Sequence, residues 1–183
     1  MVCVRKYKAL ILLAVLALTT CVSAVAQDGS ARVQSAHAGS SLGELRDKRR
    51  ALLVVFRSRV LDASGNERAI FEDVLKADPR PKGRFRRIHA QLARKLNKYT
   101  EKYRSLLPAE DLADADYVIY FNVVEFRRIL DTVYPYGELF VIVKGSPEQL
   151  KPPRVVWRAN KVLFAEDAIG NLIKELKAVR GEG

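Results

Sequence analysis

Two almost uninterrupted apolar segments constrain the fold of this 183-residue chain. Leu52 to Phe56 and Tyr117 to Val124 are dense in β-branched, aliphatic and aromatic residues, with no regular alternation of polar positions. A strand of this composition needs cover on both faces of its sheet, whereas a strand at a solvated surface alternates apolar and polar residues. The two segments therefore predict central strands with helices packed against the sheet.

The other elements are predicted from shorter patterns. We expect strands over Ala51–Leu61, Tyr117–Leu130, Glu138–Lys144 and Arg154–Lys161, and helices from Ser41 to about Asp47, around Ile70–Leu75 and from about Glu166 onward. The Ile70–Leu75 segment also fits a strand paired back on the first one. In the last strand Val155, Trp157 and Ala159 are expected to share one face. This order predicts a single α/β or α+β domain over residues 42–183.

The longest predicted helix has the clearest periodicity. Apolar side chains recur at every third or fourth position from Phe85 to Tyr103, and Pro108 closes the segment. At 100° per residue, Arg87, Arg94 and Lys98 fall on the opposite side of the helix and are expected to face solvent. The predicted architecture is thus a small mixed four-stranded sheet flanked by a long basic amphipathic helix and a C-terminal helix.

The N-terminus has the features of a secretory signal peptide. Basic residues at positions 5, 6 and 8 precede an apolar run from Ala9 to Leu18, and Ala24-Val25-Ala26 supplies the small residues of a cleavage site. The run is shorter than the about 20 residues of a transmembrane helix, which disfavours an uncleaved anchor. We expect a signal peptide over residues 1–26 with cleavage after Ala26, a flexible lead-in over residues 27–41, and a periplasmic or extracellular protein.

A second mode of processing is open at Cys21. Leu18-Thr19-Thr20-Cys21 resembles the lipobox of bacterial lipoproteins, in which the cysteine becomes the lipidated first residue, although Thr20 replaces the usual Gly, Ala or Ser. Lipidation would tether the domain to a membrane, and membrane contact is expected only in that case. Cleavage after Ala26 instead leaves a chain without cysteine, so its fold depends on its core.

Charge is the strongest compositional feature of the exported part. The full chain carries +11, and the three basic residues of the signal peptide leave 11 − 3 = +8. Eleven Lys or Arg lie between Lys76 and Arg104, against two acidic residues. Such a patch attracts polyanions. Outside the cytoplasm we expect an envelope protein or an anionic glycan or lipid as the partner rather than nucleic acid; the alternative is a solvated face that only promotes solubility.

Carboxylates near residues 110–125 are the one candidate for catalysis. They are Glu110, Asp111, Asp114, Asp116 and Glu125. Paired carboxylates across a cleft can act as acid and base, which makes an exported hydrolase the alternative function. The sequence lacks a nucleophile motif and metal-ligand spacing, and has only His37 and His89. We therefore assign no catalytic residue, no metal site and no cofactor, and expect a solvated acidic turn.

Two tyrosines complete the candidate site. Tyr134-Pro135-Tyr136-Gly137 is predicted as the turn that enters the third strand. Tyr134 and Tyr136 beside such a turn can stack on sugars or peptides, or can cap the edge of the core. With Arg87, Arg94 and Lys98 they form the set of candidate ligand-binding residues.

Three segments in the second half carry a family resemblance. They are Ala115-Asp116-Tyr117-Val118-Ile119, Gly137-Glu138-Leu139-Phe140-Val141-Ile142 and Arg154-Val155-Val156-Trp157-Arg158-Ala159. Together with the closing helix they resemble small exported bacterial envelope proteins of unknown function, many of them lipoproteins. They are similar, more distantly, to the TolB N-terminal domain and to the lipoproteins of curli secretion and of penicillin-binding-protein activation. Glu138 stands where those families usually have Thr, and no acidic residue follows the third strand.

The resemblance implies an architecture more than a site. It favours a non-enzymatic binding or assembly module of the cell envelope and carries over no catalytic residue, because a shared fold does not establish a shared function.

Overall fold

The computed structural model describes residues 41–57, 67–145 and 152–183. The predicted signal peptide, its cleavage after Ala26, lipidation of Cys21 and the lead-in up to residue 40 lie outside these residues. Contacts group the described residues into one unit.

Nine regular elements follow one another along the described chain. A 3₁₀ helix at Ser41–Leu45 precedes β1 (Arg50–Phe56), α1 (Glu67–Lys76), α2 (Gly83–Tyr103), β2 (Leu107–Pro108), β3 (Tyr117–Ile129), β4 (Thr132–Val143), β5 (Arg154–Val162) and α3 (Ala165–Arg180). The segment around Ile70 is thus a helix and not a returning strand. None of the described helices is long and apolar enough to cross a membrane.

The strands form one mixed sheet in the order β2-β1-β3-β4-β5. β1 is parallel to β2 and to β3, and β4 is antiparallel to both β3 and β5. The predicted mixed sheet flanked by helices is confirmed, with five strands instead of four. β2 was missed because two residues carry no periodicity. Its Pro108 fits the sheet edge since the neighbouring Leu107 and Ala109 N–H groups donate to the carbonyls of Arg49, just before β1, and of Ala51 within it, at 2.7 and 2.9 Å.

Helices cover both faces of the sheet, as the apolar segments predicted. One core layer lies under α2, α3 and the 3₁₀ helix and contains Leu53, Ile119, Phe121, Leu139 and Trp157 among others. The second layer lies under α1 and contains Leu52, Val54, Val118, Tyr120 and Phe140. Successive residues of Leu52–Val55 in β1 and of Val118–Phe121 in β3 alternate between the two layers, which explains why these parts of both strands are apolar without interruption.

Two predictions about strand limits were wrong. Tyr134-Pro135-Tyr136-Gly137 lies inside β4, and the turn is the preceding pair Leu130-Asp131, since Ile129 pairs with Thr132. β1 ends at Phe56, and Arg57 has no regular structure, whereas the expected strand continued to Leu61.

The third error concerns β5, in which Val155 does not share a face with Trp157 and Ala159. Val155 packs against the layer under α1, while the other two are buried in the opposite layer. The cause is a register shift: Val141 pairs with Trp157 but Ile142 pairs with Val155, so one residue of β5 is unpaired between them.

β3 and β4 continue past the described parts of their neighbours. The β1–β3 pairing ends at Phe56 and Asn122, and the β4–β5 pairing ends at Gly137 and Val162. Beyond these points the two strands form an antiparallel arm whose tip residue, Leu130, is 91% exposed.

Candidate functional site

The basic helix α2 faces the core with one stripe and solvent with another. Its stripe of Ile88, Leu92, Leu96 and Tyr99 is buried under the sheet. The helix contains seven Lys or Arg and one acidic residue, Glu101. An amphipathic helix that buries one face this completely must project its charges away from the sheet. The predicted orientation of α2 is therefore confirmed.

Arg87, Arg94 and Lys98, the cationic row, are all exposed. Among the described residues, no carboxylate lies within 4.0 Å of any of the three. The helical rise of about 1.5 Å per residue spreads the row over about 16 Å of the α2 axis. The row is thus a linear array of positive charge without a direct ion-pair partner within the described part of the chain.

A groove between α2 and the start of α3 holds two members of the row. This cationic hollow has a volume of about 250 Å³ and is lined by Gln91, Arg94, Lys95, Lys98 and Glu166. The ammonium of Lys95 donates to the backbone carbonyl of Glu166 at 2.8 Å and so connects the two helices. Arg87 lies one turn further toward the N-terminus of α2 and does not line this hollow.

A second hollow adjoins the first and contains Tyr134. This aromatic hollow also measures about 250 Å³; it is lined by Gln91, Leu92, Tyr134, Pro135, Leu163, Phe164, Ala165, Glu166 and Asp167. Gln91 and Glu166 line both hollows. The rings of Tyr134 and Phe164 meet edge to face, with centroids 5.4 Å apart and planes at 81°. Phe164 is 49% exposed, so part of its surface is open to a ligand.

The structure therefore brings Arg94, Lys98 and Tyr134 to one surface and leaves Tyr136 apart. The guanidinium of Arg127 lies over the Tyr136 ring at 3.5 Å from its centroid and also pairs with Glu125 at 2.5 Å. Tyr136 lines neither hollow, and its ring already has a cation stacked on it.

Sequence reasoning missed four residues of the groove, namely Gln91, Lys95, Phe164 and Glu166. Gln91 lies one helical turn before the row member Arg94. Lys95 directly follows Arg94 and lies one turn before Lys98, so the same helical periodicity could have included both residues. Phe164 and Glu166 carry no such signal, because their place beside α2 depends on how α3 packs.

The acidic residues of the hydrolase alternative all have structural contacts. Asp116 accepts hydrogen bonds from the backbone N–H groups of Arg49 and Arg50 at 2.9 and 2.8 Å, and Asp111 accepts one from the backbone N–H of Asp114 at 2.9 Å. Asp114 pairs with Arg50 at 3.7 Å, Glu110 with Arg80 at 3.6 Å and Glu125 with Arg127. These contacts account for the five carboxylates as parts of turns and surface ion pairs.

A separate pocket lies beside His89, at the edge where β1 meets β2. It measures about 270 Å³ and has an apolar floor formed in part by Leu53, Leu96 and Leu106. Burial lowers the pKa of His89, against the opposing effect of a hydrogen bond to the Leu53 backbone. Among the described residues, its lining includes Glu110 but no Ser, Thr or Cys that could act as a nucleophile.

On the α1 side of the sheet, a half-buried ion pair was not anticipated. Arg158 donates to Glu138 at 2.8 Å, and its guanidinium lies 5.2 Å from the centroid of the Phe140 ring. The hydroxyl of the neighbouring Tyr120 is buried without a hydrogen-bond partner in the described structure. Burial, with the negative charges of Asp73 and Glu138, raises the pKa of Tyr120.

Among the described residues, no three His, Cys, Asp or Glu side chains cluster as the ligands of a metal ion would.

Comparison of the chain with protein-family models, with curated proteins and with solved structures gives no match. The resemblance to envelope proteins and lipoproteins accordingly stays a prediction from the sequence, and a function has to be argued from the site itself.

Proposed function

We propose that this chain is an exported, non-enzymatic binding or assembly module of the cell envelope, which holds an anionic envelope component or protein against the outward face of α2. The single observation that supports the proposal most is the cationic row, whose three side chains are exposed and have no carboxylate partner in the described structure.

Some exposed cations elsewhere on the described domain are paired, whereas others, among them Lys76, Arg84 and Arg86, also have no carboxylate within 4.0 Å. Arg50, Arg68, Arg80 and Arg128 each lie within 4.0 Å of a carboxylate. The chain therefore has acidic residues available for pairing, and its ion pairs are placed away from the cationic row. An array of like charge on one helix raises the local concentration of anions and accelerates their association.

The proposal rests on export as well as on charge. A basic helix in a cytoplasmic protein would first suggest nucleic acid, but no nucleic-acid recognition motif is present in the sequence. Acidic glycans, anionic lipids and acidic proteins are the polyanions that an exported protein meets, and the predicted signal peptide makes them the expected partners.

The test is a salt-dependent binding measurement with the purified protein and two soluble polyanions, heparin and polyglutamate. Raising the salt concentration from about 0.1 M to about 1 M shortens the Debye length from about 10 Å to about 3 Å. Because salt screens the attraction, binding through the row should weaken by at least about tenfold over this range, which corresponds to about 1.4 kcal/mol of binding free energy. The triple variant Arg87→Glu, Arg94→Glu, Lys98→Glu should lose binding at low salt.

The control is Arg68→Glu with Lys76→Glu, which reverses two exposed charges of α1 on the other side of the sheet, one fewer than the α2 triple variant, and breaks the Arg68–Glu72 pair. It should bind like the unmodified chain. Glu, Lys and Arg have similar helix propensities, so both variants should keep their circular dichroism spectra. Binding that is indifferent to salt and to the α2 triple variant would refute the proposal.

A further inference from the structure

We propose that the cationic and aromatic hollows form one binding site for an acidic carbohydrate, in which a sugar ring lies against Phe164 and its acidic group, or that of the next sugar, binds Arg94 and Lys98. This inference rests on the proposed function, because it names the class of anion that the α2 face would hold.

The two hollows are continuous in the residues that line them. Gln91 and Glu166 belong to both, so a ligand can extend from one into the other without leaving the surface. Gln91 precedes Arg94 and Lys98 by three and seven residues, or about 4.5 and 10.5 Å along the α2 axis. An anionic group on the stacked sugar or on its neighbour would reach the cations over such a distance.

The aromatic hollow has the chemistry that carbohydrates require. A sugar presents an apolar C–H face and a rim of hydroxyl groups. Phe164 offers a partly exposed ring for the C–H face, and its edge-to-face contact with Tyr134 restrains its orientation. The carboxylates of Glu166 and Asp167 accept hydrogen bonds from hydroxyl groups, while the side-chain amide of Gln91 both donates and accepts them.

Charge along the groove disfavours a lipid. The cationic hollow carries Arg94, Lys95 and Lys98 against the single carboxylate Glu166, whereas the aromatic hollow is bordered by Glu166 and Asp167 and has no cation among its described lining residues. A phospholipid bound by its phosphate to the cations would place acyl chains beside two carboxylates, which remain hydrated. A sugar places hydroxyl groups there instead.

An extended peptide is also disfavoured at this position. Peptides that add a strand to a sheet depend on backbone N–H and C=O groups along an edge. The residue of β4 in the aromatic hollow next to Tyr134 is Pro135, which has no N–H to donate.

The experiment compares four probes by isothermal titration calorimetry with the full chain. Oligogalacturonate carries one carboxylate per sugar, and its methyl ester has the same sugar backbone without the charge. Polyglutamate supplies acidic groups without sugar rings, and phosphatidylglycerol vesicles supply a lipid surface. We expect oligogalacturonate to bind at least about tenfold more tightly than its methyl ester. It should also bind at least about tenfold more tightly than polyglutamate at equal carboxylate concentration. The vesicles should not displace oligogalacturonate from the protein.

Two pairs of variants locate the contacts. Arg94→Gln with Lys98→Gln should weaken oligogalacturonate binding by about tenfold or more, whereas the α1 control Arg68→Gln with Lys76→Gln, which removes the same charge, should not. Phe164→Ala should weaken the binding of oligogalacturonate by about tenfold and leave the binding of polyglutamate unchanged. If Phe164→Ala does not fold, Phe164→Leu keeps apolar bulk, removes the aromatic face and is expected to show the same selective loss.

The outcomes separate this inference from the proposed function. Salt-dependent binding of polyanions that does not depend on the Phe164 variants, or that favours polyglutamate or vesicles over oligogalacturonate, would overturn the carbohydrate site while the polyanion-binding function stands. Absence of salt-dependent binding to every anionic probe would overturn both.

Discussion

Replacing Gly137 with alanine should disrupt the pairing of β3 with β4, because this glycine lies where the backbones of the two strands are too close for a side chain. A Cβ at this position would lie 1.9 Å from the carbonyl oxygen of Asn122, 2.9 Å from its carbonyl carbon and 3.2 Å from Cα of Val123. Ordinary contact begins at 3.4 Å, so the oxygen would have to retreat by about 1.5 Å.

The cost follows from what that movement breaks. All three contacted atoms belong to the backbone, and no side-chain rotation can relieve the overlap. Separating the strands at this point weakens about two ladder hydrogen bonds, at about 1 kcal/mol each. Overpacking in a well-filled interior adds about 1–3 kcal/mol. The free energy of unfolding should therefore fall by about 3–5 kcal/mol, a large part of the about 5–15 kcal/mol typical of a domain.

The same substitution at Gly170 is the matched control and should have the opposite sign. Gly170 lies inside α3, and the nearest atom to its added Cβ is the flexible Lys95 ammonium nitrogen at 3.6 Å. Alanine removes the conformational entropy that glycine costs a helix interior, so Gly170→Ala should raise the free energy of unfolding by about 0.5–1 kcal/mol.

Urea denaturation followed by circular dichroism measures both variants on one scale, with the transition midpoint compared at equal slope. A Gly137→Ala chain that cannot be recovered folded agrees with the expectation. A Gly137→Ala variant whose free energy of unfolding lies within about 1 kcal/mol of that of the unmodified chain, or a destabilised Gly170→Ala variant, would refute the reasoning.

Three further predictions concern other charged and aromatic groups. Arg180 donates to the carbonyls of Leu45 and Lys48, the latter at 2.6 Å, so Arg180→Met should lower the free energy of unfolding in urea by about 1–3 kcal/mol because it leaves both carbonyls without these donors. Burial raises the pKa of Tyr117 to about 12, against the positive charge of Arg180. The unfolded chain loses this proton near pH 10 and the folded chain near pH 12, so the free energy of unfolding should fall by about 1.4 kcal/mol per pH unit between about pH 10 and pH 12, and Tyr117→Phe should remove that part of the decline. Arg94→Glu should raise the free energy of unfolding in urea by about 0.5 kcal/mol, since it replaces a like-charge pair with Lys98 by an attractive one, while anion binding weakens.

The sequence predicted those parts of the fold that depend on local periodicity. The apolar segment at the start of β3 and the three- and four-residue spacing in α2 each specify an element and its buried side. Pairing register is not local in this sense. The register shift between Val123 and Glu125 changes which face of β3 each later residue occupies, and only the partner strand reveals it.

The incorrect prediction of a turn at Tyr134 to Gly137 also arose because strand pairing is not visible in local sequence. Pro135 and Gly137 are residue types that favour turns. Both are nevertheless tolerated within β4 because of how the neighbouring strands β3 and β5 pair with it. Beyond Gly137 the described part of β5 no longer pairs with β4, so the missing N–H of Pro135 breaks no described ladder bond on that side. Gly137 is needed where β3 approaches closely. Composition favoured a turn because it contains no information on what lies across the sheet.

Some features of the candidate site likewise follow from local sequence, whereas others depend on tertiary packing. The outward direction of Arg94 and Lys98 follows from helix geometry and could be predicted, whereas the meeting of Tyr134 with Phe164 requires the arm of β4 and the start of α3 to converge. Tyr136 is two residues from Tyr134 in the same strand, and yet it stacks with Arg127. Which of two equivalent tyrosines reaches the groove is decided by tertiary packing.

The cationic row is hard to explain from stability alone. Arg94 and Lys98 are four residues apart on one helix face, an arrangement of like charges that costs about 0.2–0.5 kcal/mol. Neither side chain has an ion-pair partner in the described structure to offset that cost. By contrast, Arg180 and Asp116 use their charges to satisfy backbone groups and so hold elements together. The chain thus contains charges that stabilise its fold and charges that do not, and a bound anion is the interaction that would compensate the second kind. Arg94→Glu is expected to increase the free energy of unfolding and to weaken anion binding. If stability rises and binding falls, the row is a ligand-binding site; if stability rises and binding is unchanged, the row only promotes solubility.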